Sequence, residues 1–302
     1  MTIDFTHDQV IPKTYGGANG PKICVIHDGE PWLLKFPAHT QKNPNMSYTN
    51  GLVSEYIGCH IFNLLGIRAQ DTLLGSYAKG DKVYDVVACR DFTSDGKVLQ
   101  DFASLKNTVI DSVHNGYGIE LSDILDTLNQ QELYPREELK EHFWNMFVVD
   151  ALLGNWDRHN GNWGFLFDNQ SHSLELAPVF DCGSCLYPQA DEKIMQACLT
   201  DRAQVDLRIY QIPTSAIRTD GKRSSYFKML TTHEIPDLDR ALIRMVPQIN
   251  LEAIAAVIDE TPGISNLQKA FYQTMIEARK SALLDIAYEQ VISTKEHDID
   301  ER

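Results

Sequence analysis

The sequence predicts an α+β fold with two lobes, a small β-rich amino-terminal lobe and a larger helical carboxy-terminal lobe. Residues 1–95 are dominated by short apolar or alternating runs separated by turn residues, which is the pattern of strands and hairpins. From residue 96 onward, longer runs carry apolar residues at helical spacing. A chain of 302 residues can form both lobes around a large core. We therefore predict lobes at 1–95 and 96–302.

A glycine-rich segment comes before the first hairpin of the amino-terminal lobe. It consists of Gly16, Gly17, Ala18, Asn19 and Gly20. The backbone N–H groups of such a loop can approach a phosphate closely, although any tight turn would also use glycines. Asp28-Gly29 is a strong turn signal between strands predicted at 23–26 and 32–36.

The second strand of this hairpin carries a lysine in an apolar run. Lys35 must find a charged partner or reach solvent at its tip. The run 51–65 has an apolar stripe at helical spacing with Glu55 beside it, and Gly66 ends the predicted helix. In phosphotransferases, a strand lysine contacts ATP phosphate and a helix glutamate. The alternative is a strand-edge lysine with a solvent-facing glutamate.

Two further strands are predicted before the chain leaves the first lobe. Residues 71–77 and 82–88 alternate or run apolar around a turn at 79–81. Asp91 and Phe92 follow directly, at the position where a bilobal kinase crosses between lobes and its backbone hydrogen-bonds adenine. We place the lobe boundary near 93–96.

The densest polar cluster of the chain lies between a predicted helix and a predicted strand. An amphipathic run at 137–153 has Pro135 before it and Gly154 as a helix stop, and 163–167 has the pattern of a strand. The loop between them contains Asp157, Arg158, His159 and Asn162. Scaffolds commonly hold catalytic side chains on such loops.

The spacing inside this loop matches a phosphotransfer site. Kinases place an aspartate beside the attacking hydroxyl and an asparagine five residues later on a metal ion, as Asp157 and Asn162 are placed. If 163–167 and 174–179 pair as antiparallel strands, Asn162 and Asp181 lie at the same end of the pair. Asp181 also begins an Asp-x-Gly triplet, the form in which kinases hold a second metal ligand.

Charge and cysteine content bear on other classes of function. Lys plus Arg is 27 and Asp plus Glu is 42, so the net charge of −15 argues against a general nucleic-acid binder and an anionic membrane surface. The basic patch at 218–223 is interpreted as a solvated loop.

Cys182 and Cys185 form a Cys-x-x-Cys pair. We favour structural thiols over a zinc or redox site for this pair, because no second pair has ligand spacing.

With these residues assembled, the chain resembles the HipA-like bacterial serine/threonine kinases over nearly its whole length. The motifs that carry the resemblance are Gly-Gly-Ala-Asn-Gly at 16–20, Leu-Leu-Lys-Phe-Pro at 33–37, Met-Ser-Tyr-Thr-Asn-Gly at 46–51, Leu-Leu-Gly-Asn-Trp-Asp-Arg-His-Asn-Gly-Asn-Trp-Gly-Phe at 152–165, and Pro-Val-Phe-Asp-Cys-Gly-Ser-Cys-Leu-Tyr-Pro-Gln-Ala-Asp at 178–191. The last two are long and specific. The resemblance implies a protein-kinase-like pair of lobes that binds Mg-ATP in the cleft.

The resemblance also implies roles for individual residues. Lys35 would contact ATP phosphates and Asp157 would be the catalytic base. Asn162 and Asp181 would hold Mg²⁺, and His159 matches a family histidine near the phosphates. The remaining candidates also have implied roles. Residues 16–20 would form a phosphate-binding loop, Glu55 would pair with Lys35, and Asp91 and Phe92 would lie at the adenine hinge.

The chain also departs from this family in two respects that matter for function. It lacks the additional amino-terminal domain of HipA proper, so no antitoxin partner can be assigned. The loop at 14–20 lacks the serine that many relatives autophosphorylate, which leaves Thr14 and Tyr15 as the nearest hydroxyls.

We therefore expect an ATP-dependent kinase that phosphorylates Ser or Thr of a protein substrate, and autophosphorylation stays open. The alternatives are a nucleotide-binding pseudokinase without turnover and a small-molecule kinase. No apolar run approaches the ~20 residues needed to span a bilayer, and the first residues lack a secretory signal. The expected compartment is the bacterial cytoplasm, and the resemblance leaves translocation into host cells open.

Overall fold

A computed structural model of the chain describes five stretches and leaves short segments between them undescribed. The described residues are 3–15, 21–37, 50–93, 96–110 and 115–300, with side chains described through 294. The predicted glycine-rich loop at 16–20 and most of the motif at 46–51 therefore lie outside the described residues.

The first part of the chain forms a six-stranded sheet. Its strands are β1 (Ile3–Asp4), β2 (Gln9–Ile11), β3 (Lys22–His27), β4 (Glu30–Lys35), β5 (Thr72–Lys79) and β6 (Lys82–Arg90), in the order β1-β5-β6-β4-β3-β2. β3 and β4 form the predicted hairpin around Asp28-Gly29, and β5 and β6 form the second predicted hairpin. The pairing of β4 with β6 places Lys35 opposite Val87, in the middle of the sheet.

One helix packs against this sheet. α1 (Gly51–Leu64) contacts β5 and β6 and buries Ile57, Ile61 and Phe62 completely. It also lies against the loop after Asp181, because Gly58 leaves no room for a side chain at its point of contact with Cys182. α1 therefore connects the sheet to the rest of the site.

The remainder of the chain is mainly helical. Its helices are α2 (Phe102–Val109), α3 (Leu121–Gln130), α4 (Arg136–Leu153), α5 (Glu192–Thr200), α6 (Arg202–Tyr210), α7 (Tyr226–Thr231), α8 (Pro236–Met245), α9 (Leu251–Glu260), α10 (Asn266–Arg279) and α11 (Ile286–Asp300), with a 3₁₀ turn at Val246–Gln248. A π-helical segment at Lys280–Asp285 separates α10 from α11, so the predicted continuous run at 264–291 is not a single α-helix. α4 lies at the centre of the main core and is buried along most of its length.

A small three-stranded sheet flanks the end of α4. β7 (Lys97–Asp101), β8 (Gly164–Asp168) and β9 (Leu174–Leu176) pair in the order β7-β8-β9. The antiparallel pairing of β8 with β9 confirms the prediction that places the residues before β8 and after β9 at one end. The predicted second strand is shorter than expected, because Val179 instead bridges to Ala69 beside α1.

The basic patch at 218–223 is a hairpin and not a loop. β10 (Arg218–Thr219) pairs with β11 (Lys222–Arg223), and all four residues are exposed.

The α+β class is confirmed, with a sheet region followed by a helical region. The lobe boundary at 95 and 96 stays a prediction. Among the described residues, no single helix has the length and apolar content to cross a membrane; one pair of helices, Pro236–Gln248 and Leu251–Glu260, passes that test together but is bent by 69°.

We expect the substitution Gly58→Ala to destabilise the protein, although alanine is the better helix former by about 1 kcal/mol. A Cβ atom at this position would lie 2.8 Å from the Cβ atom of Cys182. Overpacking of this kind costs typically ~1–3 kcal/mol, so the steric effect should win. Urea denaturation measures the loss, and the phosphoryl transfer expected from the sequence should fall because α1 is pushed away from the Asp181 loop.

Asn129→Ala on the exposed face of α3 is the matched control, because it introduces alanine into a helix at a position where the new side chain meets solvent. A Gly58→Ala protein as stable and active as the parent would contradict the close packing of α1 on this loop.

Candidate active site

A cavity of about 450 Å³ lies between the six-stranded sheet and the helical region. Most of the residues predicted from the sequence line it: Lys35, Asp91, Phe92, Asp157, His159, Asn162 and Asp181. The structure therefore brings together candidates that lie up to 146 positions apart in the chain.

Lys35 forms the electrostatic centre of this cavity. Its Nζ atom lies 3.1 Å from Oε1 of Glu55 and 3.2 Å from Oδ1 of Asp181. Glu55 is 2% exposed, so the alternative of a solvent-facing glutamate is wrong. Burial alone would lower the pKa of Lys35, but the two carboxylates raise it well above its ordinary value. Lys35 therefore remains a cation at the base of the cavity.

The loop after α4 begins with a left-handed residue. Gly154 has φ 64° and ends α4, which turns the chain sharply away from the helix axis. Asn155 is completely buried, and its side chain donates to Oδ1 of Asp150 at 2.8 Å and accepts from the backbone N–H of Asp157 at 3.1 Å. These contacts fix the backbone at the point where Asp157 enters the cavity.

Asp157 has the environment expected of a proton acceptor. Burial raises the pKa of its carboxyl above the usual range, and the nearby carboxylate of Asp181 raises it further. His159 and Arg223 act in the opposite direction. A carboxyl whose pKa is raised toward neutrality accepts a proton more readily than an ordinary surface aspartate.

A buried arginine joins the two loops of the site. Arg158 is 8% exposed, and its Nε atom donates to Oδ2 of Asp150 at 2.9 Å. The same guanidinium donates to the carbonyl of Asn162 at 2.9 Å and to the carbonyl of Phe180 at 2.5 Å. Since Phe180 directly precedes Asp181, one side chain sets the relative position of both predicted metal ligands.

The donor set at this end of the cavity fits a magnesium ion. Asn162 donates from its amide nitrogen to the carbonyl of Asp157 at 3.0 Å, which leaves the amide oxygen as a ligand. Asp181 contributes carboxylate oxygens, and its φ of 58° is a left-handed conformation that side chains rarely adopt. The described residues contain no group of three metal-binding side chains. Mg²⁺ commonly uses one or two protein ligands together with phosphate oxygens and waters, which is compatible with this pair.

His159 is oriented within the loop by a backbone contact. Its Nδ1 atom accepts from the N–H of Gly161 at 3.1 Å. In the neutral imidazole this assigns the ring proton to Nε2, which makes Nε2 a hydrogen-bond donor. His159 lines the cavity and can therefore donate to an anionic ligand there.

Asp91 is held by donors from three residues. It pairs with Lys13, and it accepts from the Tyr15 hydroxyl at 2.6 Å and from the backbone N–H of Thr93 at 2.8 Å. Burial opposes ionisation, but these hydrogen bonds lower the pKa of the Asp91 carboxyl overall. The carboxylate thus anchors the segment that leads into the glycine-rich loop.

Sequence reasoning missed several residues that line the cavity. They are Lys22, Leu33, Gln70, Thr93, Leu99, Asp101, Tyr117, Gly161 and Phe180. Tyr15 also lines the cavity, whereas the sequence suggested it only as a phosphorylation site. Tyr117 donates from its hydroxyl to Oδ2 of Asp101 at 3.0 Å, which joins two segments on the helical side. Leu33, Gly161 and Phe180 lie inside the motifs that carry the family resemblance, which was the available signal. The others lie outside these motifs and meet only after the two regions pack together.

Three buried cysteines, Cys59, Cys182 and Cys185, lie next to Arg158 or to one another behind the site. Cys182 accepts from Arg158 at 3.5 Å, and hydrogen bonds from the thiols of Cys185 and Cys59 lower its pKa well below the usual value. All six cysteines are free and buried: Cys24, Cys59, Cys89, Cys182, Cys185 and Cys198.

Comparison with known proteins identifies the family of the chain. The model of the HipA-like C-terminal domain matches residues 14–249. The chain is 45% identical over 293 residues to the serine/threonine-protein kinase CtkA of Helicobacter pylori strain J99, covering 96% of this chain and 89% of that protein. A crystal structure of a Helicobacter pylori proinflammatory kinase CtkA matches with a TM-score of 0.90 and 44% identity, over 97% of this chain and 99% of the other.

A more distant structure supports the fold alone. HipA of Shewanella oneidensis MR-1, solved with HipB and operator DNA, matches with a TM-score of 0.58 and 14% identity over 92% of this chain and 67% of that chain.

The fold and these similarities define a serine/threonine protein kinase with two lobes. The chain belongs to the HipA-like C-terminal domain family.

We expect Arg158→Met to destabilise the protein by ~3–5 kcal/mol and to abolish phosphoryl transfer, because it leaves the Asp150 carboxylate buried without its partner. Urea denaturation and a transfer assay measure the two effects. Adding Asp150→Leu should restore part of the stability but not the activity, since the carbonyls of Asn162 and Phe180 still lack their donor.

Arg202→Met provides the matched control, since Arg202 pairs with Asp206 at 2.7 Å on an exposed surface. It should cost at most ~1 kcal/mol and leave transfer unchanged. Equal effects of the two arginine substitutions would refute the special role of the buried pair.

Proposed function

We propose that this kinase transfers the γ-phosphoryl group of ATP to a Ser or Thr hydroxyl of a protein, with Asp157 as the catalytic base. The observation that carries the proposal is the placement of Asp157 and Lys35 on one cavity between the sheet and the helical region. Catalysis would depend mainly on positioning and charge stabilisation, as is usual for phosphoryl transfer.

The nucleotide would lie along the cavity, with its adenine toward Asp91 and Phe92. Because the Asp91 side chain is committed to Lys13, Tyr15 and Thr93, adenine would be recognised by the backbone of this segment. The proposed phosphate loop at 16–20 lies outside the described residues, but the Asp91 carboxylate anchors its entry.

The phosphates would lie at the other end of the cavity. Lys35 would contact phosphate oxygens while Glu55 holds its ammonium group in place. His159 would donate from Nε2 to the same phosphates. Asn162 and Asp181 would hold Mg²⁺, which when bound supplies positive charge to the transferring phosphoryl group.

Asp157 would accept the proton of the attacking hydroxyl. Its raised pKa favours this transfer, and the hydrogen bond from Asn155 to Asp150 fixes the start of the loop that presents it. Asp157 thus holds the acceptor oxygen in line with the γ-phosphorus.

We expect Asp157→Asn to lower transfer from γ-labelled ATP about 10²- to 10⁴-fold, the usual contribution of general base catalysis. Nucleotide affinity should change little, because the substitution keeps the size of the side chain. Asp126→Asn on the exposed surface of α3 is the control for a lost carboxylate.

Full activity of the Asp157→Asn protein would exclude this base. Nucleotide binding by the parent without transfer to any acceptor would favour a regulatory nucleotide-binding module. Label on metabolites and not on proteins would favour a small-molecule kinase.

We expect autophosphorylation to label Thr14 and not Tyr15. Thr14 is exposed, whereas the Tyr15 hydroxyl donates to Asp91 at 2.6 Å and lies 3.0 Å from Sγ of Cys24. Mass spectrometry after incubation with ATP should place the label, and Thr14→Val should remove it while Tyr15→Phe retains it. Label on Tyr15 would show that the Asp91 contact opens during turnover.

A further inference from the structure

A second cavity, of about 630 Å³, lies on the other side of the loop that carries Asp157. Trp156 lines it, and the next residue, Asp157, lines the first cavity. Arg223 also lines it and donates to the carbonyl of Trp156, the residue directly before Asp157. The second cavity is therefore lined by the residue directly before the proposed catalytic base.

One wall of this cavity is apolar and partly open to solvent. Ile212 is 49% exposed and lies beside Pro213, and Pro188 lines the cavity as well. An exposed isoleucine between prolines and a tryptophan offers a surface for an apolar side chain.

The polar side of the cavity is cationic in a protein whose net charge is −15. Arg223 stacks on Trp156, with its guanidinium 5.7 Å from the ring centroid, and donates to the Trp156 carbonyl at 2.7 Å. Arg208 donates to Gln204 at 3.0 and 3.1 Å. Within the described part of the chain, neither guanidinium forms an ion pair with a carboxylate, so each retains charge for a ligand.

Hydrogen bonds hold the part of the second cavity's wall that contains Tyr187 and Pro188. Leu186 and Tyr187 both have φ 56°, and the Leu186 N–H donates to the carbonyl of Leu153 at 2.8 Å. The Tyr187 hydroxyl donates to the carbonyl of Arg208 at 2.9 Å, and the Asn50 N–H donates to the carbonyl of Pro188 at 3.2 Å. A preformed surface of this kind binds an extended segment without the cost of ordering itself.

We propose that this cavity binds the acceptor segment of the protein substrate, an extended peptide with an apolar side chain and an acidic side chain close to the phosphorylated Ser or Thr. The apolar side chain packs on Trp156 and Ile212, and the carboxylate pairs with Arg223 at the edge and with Arg208 further in. The proposal rests on the kinase activity proposed above and adds the chemical class of its acceptor. Its grounds are the charge of the two arginines and the position of Trp156 in this cavity, one residue before Asp157.

The test uses a peptide array around one fixed serine, phosphorylated by the full chain with γ-labelled ATP. Peptides with Leu or Ile and with Glu near the serine should be the best acceptors. Arg223→Gln should raise KM for the best acidic peptide about 3- to 10-fold, as expected for a partly exposed charge pair. Because Arg223 also donates to the Trp156 carbonyl beside Asp157, any change in kcat should be the same for the acidic peptide and for the peptide in which Gln replaces Glu. The same substitution should leave KM unchanged for the peptide in which Gln replaces Glu.

Charge reversal separates recognition from loop positioning. Arg223→Glu should shift the preference from the Glu peptide to the corresponding Lys peptide, a change that a purely structural role of Arg223 would not produce. Arg218→Gln, on the same hairpin but away from the cavity, is the matched control and should leave all the KM values unchanged. Ile212→Asp should weaken the Leu peptides selectively.

Measuring peptide binding in a protein that cannot catalyse transfer separates peptide recognition by this cavity from the proposed kinase activity. In an Asp157→Asn background, fluorescence anisotropy with the labelled acidic peptide should show binding that Arg223→Gln weakens by the same factor as it raises KM. Such binding without transfer by the parent chain would refute the activity and retain the cavity as a peptide site. Equal losses for acidic and neutral peptides, or a preference for basic peptides in the parent chain, would overturn the inference.

Discussion

The buried ion pair between Asp150 and Arg158 is the interaction on which the geometry of the site depends. The carboxylate comes from the last turn of α4, and the guanidinium returns from the loop that follows it. A buried pair of charges gains little net stability, since desolvation opposes the attraction between them. The pair instead fixes the orientation of the Arg158 guanidinium. The remaining donors of Arg158 then reach the carbonyls of Asn162 and Phe180 and align two loops that are distant in the sequence.

The contacts of Lys35 with Glu55 and Asp181 likewise align separate parts of the chain, here across the cleft. Lys35 comes from the sheet, Glu55 from α1 and Asp181 from the helical region, so their contacts require all three parts to be in register. Each carboxylate is stabilised by the lysine, and the lysine remains charged because both carboxylates are present. An incoming phosphate would compete for this cation, and the low dielectric of the cleft would strengthen that interaction relative to water.

Much of this arrangement could be predicted from the sequence, because hairpins, helix ends and the spacing of Asp157 and Asn162 are local features. The pairing of β8 with β9 was enough to bring Asn162 and Asp181 to the same cavity. Arg158 was noted only as part of the polar cluster, yet a signal existed: Asp150 is a lone carboxylate in an apolar helical run, and such a group requires a cationic partner. Tyr117 and Gln70 gave no signal, since their position depends on packing between distant segments. The patch at 218–223 is exposed as expected, but its charge gave no sign that it forms a hairpin or that Arg223 packs on Trp156.

Three consecutive residues of the catalytic loop face three different environments. Trp156 lines the second cavity, Asp157 lines the first, and Arg158 is buried among the helices. Such a division is possible because Gly154 ends α4 in a left-handed turn, and because the Asn155 side chain accepts from the Asp157 N–H across a bend at Trp156. A shift of the loop that moved one of these side chains would move the other two. The proposed acceptor surface, the proposed base and the structural core are therefore coupled through a single short segment. Recognition of the acceptor and alignment of Asp157 would then depend on one backbone conformation.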